Sequence, residues 1–130
     1  MSPATVRRAW IAAIVVLVAA IVAASLAPQL PEAVDTISDK AWHFLAYLLL
    51  ALAGSAIATP RRLWSTMLRC FLLGAALELA QGALTAARSP EWADLAANTA
   101  GIAVAWLIAG SGRAGWGMRV GARLAARGKH

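Results

Sequence analysis

Acidic residues are scarce in this chain of 130 residues: six Asp and Glu stand against twelve Lys and Arg. Charge of either sign is thin as well, at 14%, where soluble domains carry roughly 25%. With 61% of the residues hydrophobic and a mean hydropathy of +0.67, a water-soluble fold of this length lacks the polar surface to cover its apolar mass, so composition places the chain in a membrane. Cysteine is almost missing. Cys70 stands alone, which excludes an intrachain disulfide and leaves the redox compartment unread; inside an apolar stretch it reads as a small hydrophobe. Histidine is equally sparse, with one in the apolar part of the chain (His43) and no His-Glu-x-x-His pair, so no metal or other cofactor is expected.

What is present is long apolar runs. Four of them, about residues 10–26, 39–58, 63–84 and 90–109, match the roughly 17–25 residues a helix needs to cross a hydrocarbon core. The chain therefore reads as an all-α integral membrane bundle of four transmembrane helices in one domain (1–110), followed by a basic tail (111–130). Arg7-Arg8 before an apolar run of about 18 residues resembles a secretory signal, but signal cores run to roughly 7–15, and a retained first helix is expected. Proline punctuates the rest. Pro28 stops the first span and Pro60 the second, Ser38 is the expected N-cap of the second, and Ser89-Pro90 is the expected start of the fourth, with Glu91 in its first turn.

The twelve cations divide unevenly. Arg7, Arg8, Arg61, Arg62, Arg69, Arg113, Arg119, Arg123, Arg127 and Lys129 fall on one side, Lys40 and Arg88 on the other. By the positive-inside bias both termini are expected in the cytoplasm. The isoelectric point near 11.1 suits a nucleic-acid binder in a soluble chain; here the basic residues flank apolar spans, so membrane lipids are the expected partners and nucleic acid is not. In the tail, Arg119, Arg123 and Arg127 share a helical face, which makes the segment either an anchor on anionic lipid or, given its glycines, an unstructured basic tail. Trp10, Trp42, Trp64, Trp92, Trp106 and Trp116 all lie near span ends, as an aromatic belt does.

Helical spacing gathers the polar residues. Asp39, His43 and Tyr47 recur every four residues, Glu78 and Gln81 are three apart, and Asp94 and Asn98 four apart with Gly101 continuing the stripe. Counted from the helix ends at about 1.5 Å per residue, all three stripes reach the same layer, on the side opposite most of the arginine. Ionisable groups at membrane depth are costly unless paired or wet, so the stripes are expected to converge on one outward-facing pocket. Expected pairs are Lys40 with Glu91 and Arg88 with Asp94 or Glu78. His43 is expected to hydrogen-bond to Asp39 or to a carboxylate across the bundle. Gly54, Gly74, Gly82 and Gly101 are expected to allow close helix approach.

The segment Asp39-Lys40-Ala41-Trp42-His43-Phe44-Leu45-Ala46-Tyr47 resembles the D-K-x-x-H-F-x-A-Y signature of VanZ-like membrane proteins. Glu78-Leu79-Ala80-Gln81 resembles that family's E-x-x-Q step, and Arg88 followed by Asp94-Leu95-Ala96-Ala97-Asn98-Thr99-Ala100-Gly101 resembles its closing R…D-x-x-A-N-x-x-G. The three motifs cover about residues 39–101 in register; Ser89-Pro90-Glu91-Trp92 departs from the apolar or aromatic residue expected after the arginine. The resemblance implies a multi-pass protein of the bacterial cytoplasmic membrane with a four-helix core. The family takes its name from a protein associated with low-level resistance to the glycopeptide teicoplanin, and most members have no assigned biochemistry.

The expected function is binding: a pocket formed by Asp39, Lys40, His43, Tyr47, Glu78, Gln81, Arg88, Asp94 and Asn98 takes a cell-envelope component or a glycopeptide-type antibiotic and modulates envelope properties or drug resistance. The alternatives are a small hydrolase or transferase on a lipid-linked envelope precursor, with His43 and Glu78 as acid–base partners, and a structural subunit of a homo-oligomer or membrane complex. Ser55 and Cys70 lie too deep to serve as nucleophiles at that pocket, so an enzyme is the weaker reading.

Overall fold

The computed structural model describes residues 2–27, 36–84 and 91–127. Among these the chain forms α1 (Pro3–Leu26), α2 (Thr36–Ile57), a 3-10 turn (Pro60–Arg62), α3 (Leu63–Leu84), α4 (Trp92–Gly110) and α5 (Trp116–Arg127), with no strand. The first four helices are each long and apolar enough to cross a membrane.

Local chemistry explains the boundaries, including those that differ from the sequence reading. α1 begins seven residues before Trp10 because Ser2 Oγ accepts the Thr5 amide at 3.1 Å and Pro3 occupies the first turn. α2 begins at Thr36, so Ser38 lies within its first turn and is not its cap. It stops at Ile57 because Thr59, forced extended by the following proline (ψ 158°), cannot continue it. α4 begins at Trp92, and Glu91 is at its cap position, not in its first turn. Glu91 makes no side-chain cap; its carboxylate meets Lys40 Nζ at 2.5 Å instead. The expected cap at Ser89-Pro90 lies outside the described residues.

α2 is the centre of the bundle, touching α1, α3, α4 and α5, and its broadest contact is with α4. The two run parallel: Lys40 near the start of α2 bonds Asp94 near the start of α4, while Ser55 near the end of α2 accepts the Gly115 amide at 2.8 Å just beyond α4. Gly101 makes this closeness possible. A Cβ there would collide with the Phe44 carbonyl and lie 2.9 Å from the Leu48 nitrogen, both backbone atoms that cannot swing aside. Without a hydrophobic drive between helices in lipid, such small-residue seams are what hold spans together. Tyr47, Leu50, Ala51, Met67, Ile102 and Ala105 fill the interior, whereas Val16, Leu72, Leu79 and Leu107 point outward and exposed, as a lipid-facing surface requires. α1 is peripheral, with only Val6 and Ile21 buried.

Residues 111–127 of the basic segment are not an unstructured tail. Gly112 and Gly115 adopt left-handed φ of 85° and 73°, conformations that favour glycine, and turn the chain back into α5. α5 docks through Gly117 and Gly121, where added Cβ atoms would meet Trp10 and Ala56 at 2.5–2.7 Å and Val6 at 2.6 Å. Two tryptophans therefore leave the aromatic belt. Trp10 and Trp116 pack edge-to-face at 4.9 Å and 74°, and Trp116 Nε1 donates toward the Leu52 carbonyl and Ser55 Oγ, each at 3.3 Å. Trp42, Trp64 and Trp92 remain well exposed near span ends.

Candidate functional site

At the end where α2 and α4 begin and α3 finishes, charged side chains gather in the bundle. Lys40 reaches from the first turns of α2 across to α4, where Nζ donates to Glu91 Oε2 at 2.5 Å and to Asp94 Oδ1, with Asp39 Oδ2 at 3.6 Å. Asp94 is only 1% exposed, so the ammonium is what makes its burial tolerable. The expected Lys40–Glu91 pair is present, and Lys40 also bonds Asp94, a partner expected for Arg88. Arg88 itself lies outside the described residues.

One turn deeper, His43 sits among oxygen atoms on every side. Its Nδ1 lies 3.1 Å from Asn98 Oδ1 and 4.0 Å from Glu78 Oε1; its Nε2 lies 3.6 Å from Asp94 Oδ2 and 4.0 Å from Asp39 Oδ1. The hydrogen bond goes to Asn98, not to Asp39 or another carboxylate, because the parallel α2–α4 seam sets positions 43 and 98 at one level. Glu78, from α3, is buried at 6% exposure, and so is Gln81, at 4%. The Gln81 amide donates to the Ser25 carbonyl at 2.6 Å, tying α3 to the end of α1. Tyr47 is buried a turn below His43, its ring against Gly74. Among the described residues no buried side-chain nitrogen or oxygen lacks a partner. The structure thus brings Asp39, Lys40, His43, Glu78, Asp94 and Asn98 into one network and sets Tyr47 and Gln81 at its border.

Beside this network α1 and α2 leave a cleft of about 390 Å³. Leu17, Ile21, Ala24, Leu45 and Leu49 form its apolar wall, and Ser25, Asp39, His43, Tyr47 and Gln81 supply its polar atoms. The sequence pointed to the polar stripes but not to the cleft. Ile21 and Leu17 are indistinguishable by type from lipid-facing neighbours, and Ser25 acts through its backbone carbonyl, which leaves no trace in residue identity.

Chemically the site is rich in acceptors. Three carboxylates surround the Lys40 ammonium and a fourth, Glu78, lies 4.0 Å from His43 Nδ1, so the field favours a cation or a hydrogen-bond donor. Asp39, His43 and Asp94 place three ligating atoms within 4.8 Å of one another, although a metal there would compete with Lys40 for Asp94. His43 Nδ1 is engaged by Asn98 and Nε2 lies 3.6 Å from Asp94 Oδ2, while Ser55 Oγ is committed to the Leu52 carbonyl at the far end of α2, away from the histidine. No family model, curated protein or solved structure matches the chain.

Proposed function

We propose that this is a VanZ-like multi-pass protein of the bacterial cytoplasmic membrane, with both termini in the cytoplasm and the carboxylate network facing outward. In this reading it binds an amphipathic cell-envelope component, or a glycopeptide-type drug, at the network and the adjoining cleft, and so modulates envelope properties or drug access. One observation carries it: Asp39 and His43 belong both to the buried charged network and to the lining of an apolar cleft between α1 and α2. A ligand with an apolar tail and a donor-rich head is matched at both ends by that arrangement, and it enters sideways from the bilayer without crossing the charged network. The uneven distribution of arginine supports the orientation.

The test uses the purified chain in lipid nanodiscs with a fluorescent lipid-linked peptidoglycan precursor and, separately, labelled teicoplanin. Saturable binding of either, lost in Asp39→Asn and His43→Ala while both variants keep the wild-type melting temperature within about 2 °C, supports the reading. Binding that ignores both substitutions, or no binding of either probe, overturns it; turnover of the precursor would replace it with the hydrolase or transferase reading. Reporter fusions at residues 35, 60 and 88 and at the C-terminus test the orientation. Residue 60 and the C-terminus are expected inside.

A further inference from the structure

The opposite end of the bundle holds a second, open cleft of about 270 Å³, lined by α1, α2, the 3-10 turn and α3. Three arginines line it: Arg7 from α1, Arg62 from the 3-10 turn and Arg69 from α3. Arg62, at the end of the 3-10 turn, and Thr66 and Arg69, on α3, all line the cleft. Arg69 lies about 10 Å further along the helix axis than Arg62, at a depth where a lone cation is unfavourable. Yet none of the three forms an ion pair among the described residues, because the described carboxylates are gathered at the other end. The rest of the lining is apolar, with Ile14, Val18, Leu50 and Leu73 continuing along the spans.

Three guanidinium groups without a protein anion beside a hydrocarbon wall have the complement of a phosphodiester joined to acyl chains. Basic pockets between spans on the cytoplasmic side are where anionic headgroups bind. We infer that this cleft seats one anionic phospholipid of the cytoplasmic leaflet. Arg7, Arg62 and Arg69 hold its phosphate, and one acyl chain lies along Ile14, Val18 and Leu73. The leaflet rests on the orientation proposed above; the lipid site does not rest on the identity of the ligand at the acidic end.

Native mass spectrometry of the full chain, stripped of lipid in an uncharged detergent, tests this with phosphatidylglycerol, phosphatidylcholine and glycerol phosphate as probes. Wild type should retain one phosphatidylglycerol under conditions that remove phosphatidylcholine. Arg62→Gln and Arg69→Gln should each weaken retention about fivefold, the usual effect of one basic residue at an anionic lipid surface, and Arg123→Gln on exposed α5 should not change it. Should either variant fail to fold, Arg7→Gln, on a different and peripheral helix, decides the matter by the same criterion. Equal retention of phosphatidylcholine, displacement by glycerol phosphate at matching concentration, or arginine variants that hold phosphatidylglycerol as wild type does would each overturn the proposal. His43→Ala should leave lipid retention intact, so failure at the acidic end and failure here are read separately.

Discussion

The two ends of this bundle treat charge in opposite ways. At the acidic end, side chains from α2 and from the start of α4 pair with each other inside the protein: Lys40 spans Asp94 and Glu91, and His43 is held by Asn98. At the basic end, Arg7, Arg62 and Arg69 line a cleft with no described carboxylate near them. The first arrangement is closed by protein and should contribute to holding the helices together. The second is open and depends on something outside the chain. Charge at membrane depth therefore marks a structural joint bordering a cleft in one case and an open cleft lined by arginines unpaired among the described residues in the other, and what separates them is whether a protein partner lies within reach.

Removing Lys40 tests the closed end most severely. Lys40→Met leaves the Asp94 carboxylate, 1% exposed, without its cation, and buried charges stripped of a partner cost about 3–5 kcal/mol. The lower part of that range is expected, because the Lys40 side chain keeps 23% of its surface exposed. Unfolding in detergent, followed by helicity, measures it. Adding Asp94→Asn to Lys40→Met should recover most of the loss; a double variant no better than the single would mean that the pair is not what holds α2 to α4.

The seam supporting that network gives the next effect. Gly101→Val places methyl groups against the Phe44 carbonyl and the Leu48 nitrogen, and overpacking of this kind costs about 1–3 kcal/mol. Since the same seam levels His43 with Asn98, ligand binding at the acidic end should fall along with stability, while lipid retention at the basic end should not.

The sequence made much of this legible, and its blind spots have physical causes. The four spans were readable because hydrocarbon demands long apolar runs, and the end of α1 at Leu26 and the whole of α3 coincide with the reading. The polar stripes were readable because helical spacing fixes which residues share a face. Partner choice was readable for Lys40 and Glu91 but not for His43. That His43 meets Asn98 follows from α2 and α4 lying parallel and adjacent, and chain connectivity alone suggests contacts between neighbours in sequence. Of the two readings of the tail, the unstructured one failed for a related reason. Gly117 and Gly121 lower helix propensity when α5 is considered alone, yet they are the positions at which it packs on Val6, Trp10 and Ala56.

That packing sets a smaller effect at the basic end. Trp116→Phe keeps a ring against Trp10 but deletes the indole N–H that faces the Leu52 carbonyl and Ser55 Oγ. Hydrogen bonds between membrane helices average about 0.6 kcal/mol, so a loss of that order is expected in the same unfolding measurement. A loss of several kcal/mol would mean that α5 is as integral to the bundle as the α2–α4 seam.

The smallest expected change separates the two ends most sharply. Arg62 forms no ion pair among the described residues, so Arg62→Gln in an uncharged, lipid-free detergent should alter stability by no more than about 0.5 kcal/mol, as for an ordinary surface position. Phosphatidylglycerol should then raise the melting temperature of wild type more than that of the variant, because a ligand stabilises the folded state in proportion to its occupancy. Lys40→Met should show the reverse pattern, a large intrinsic loss with the lipid-dependent increment intact. If Arg62→Gln is as destabilising without lipid as Lys40→Met, the basic end is a joint after all, and the contrast between a charge satisfied by protein and a charge awaiting a lipid fails.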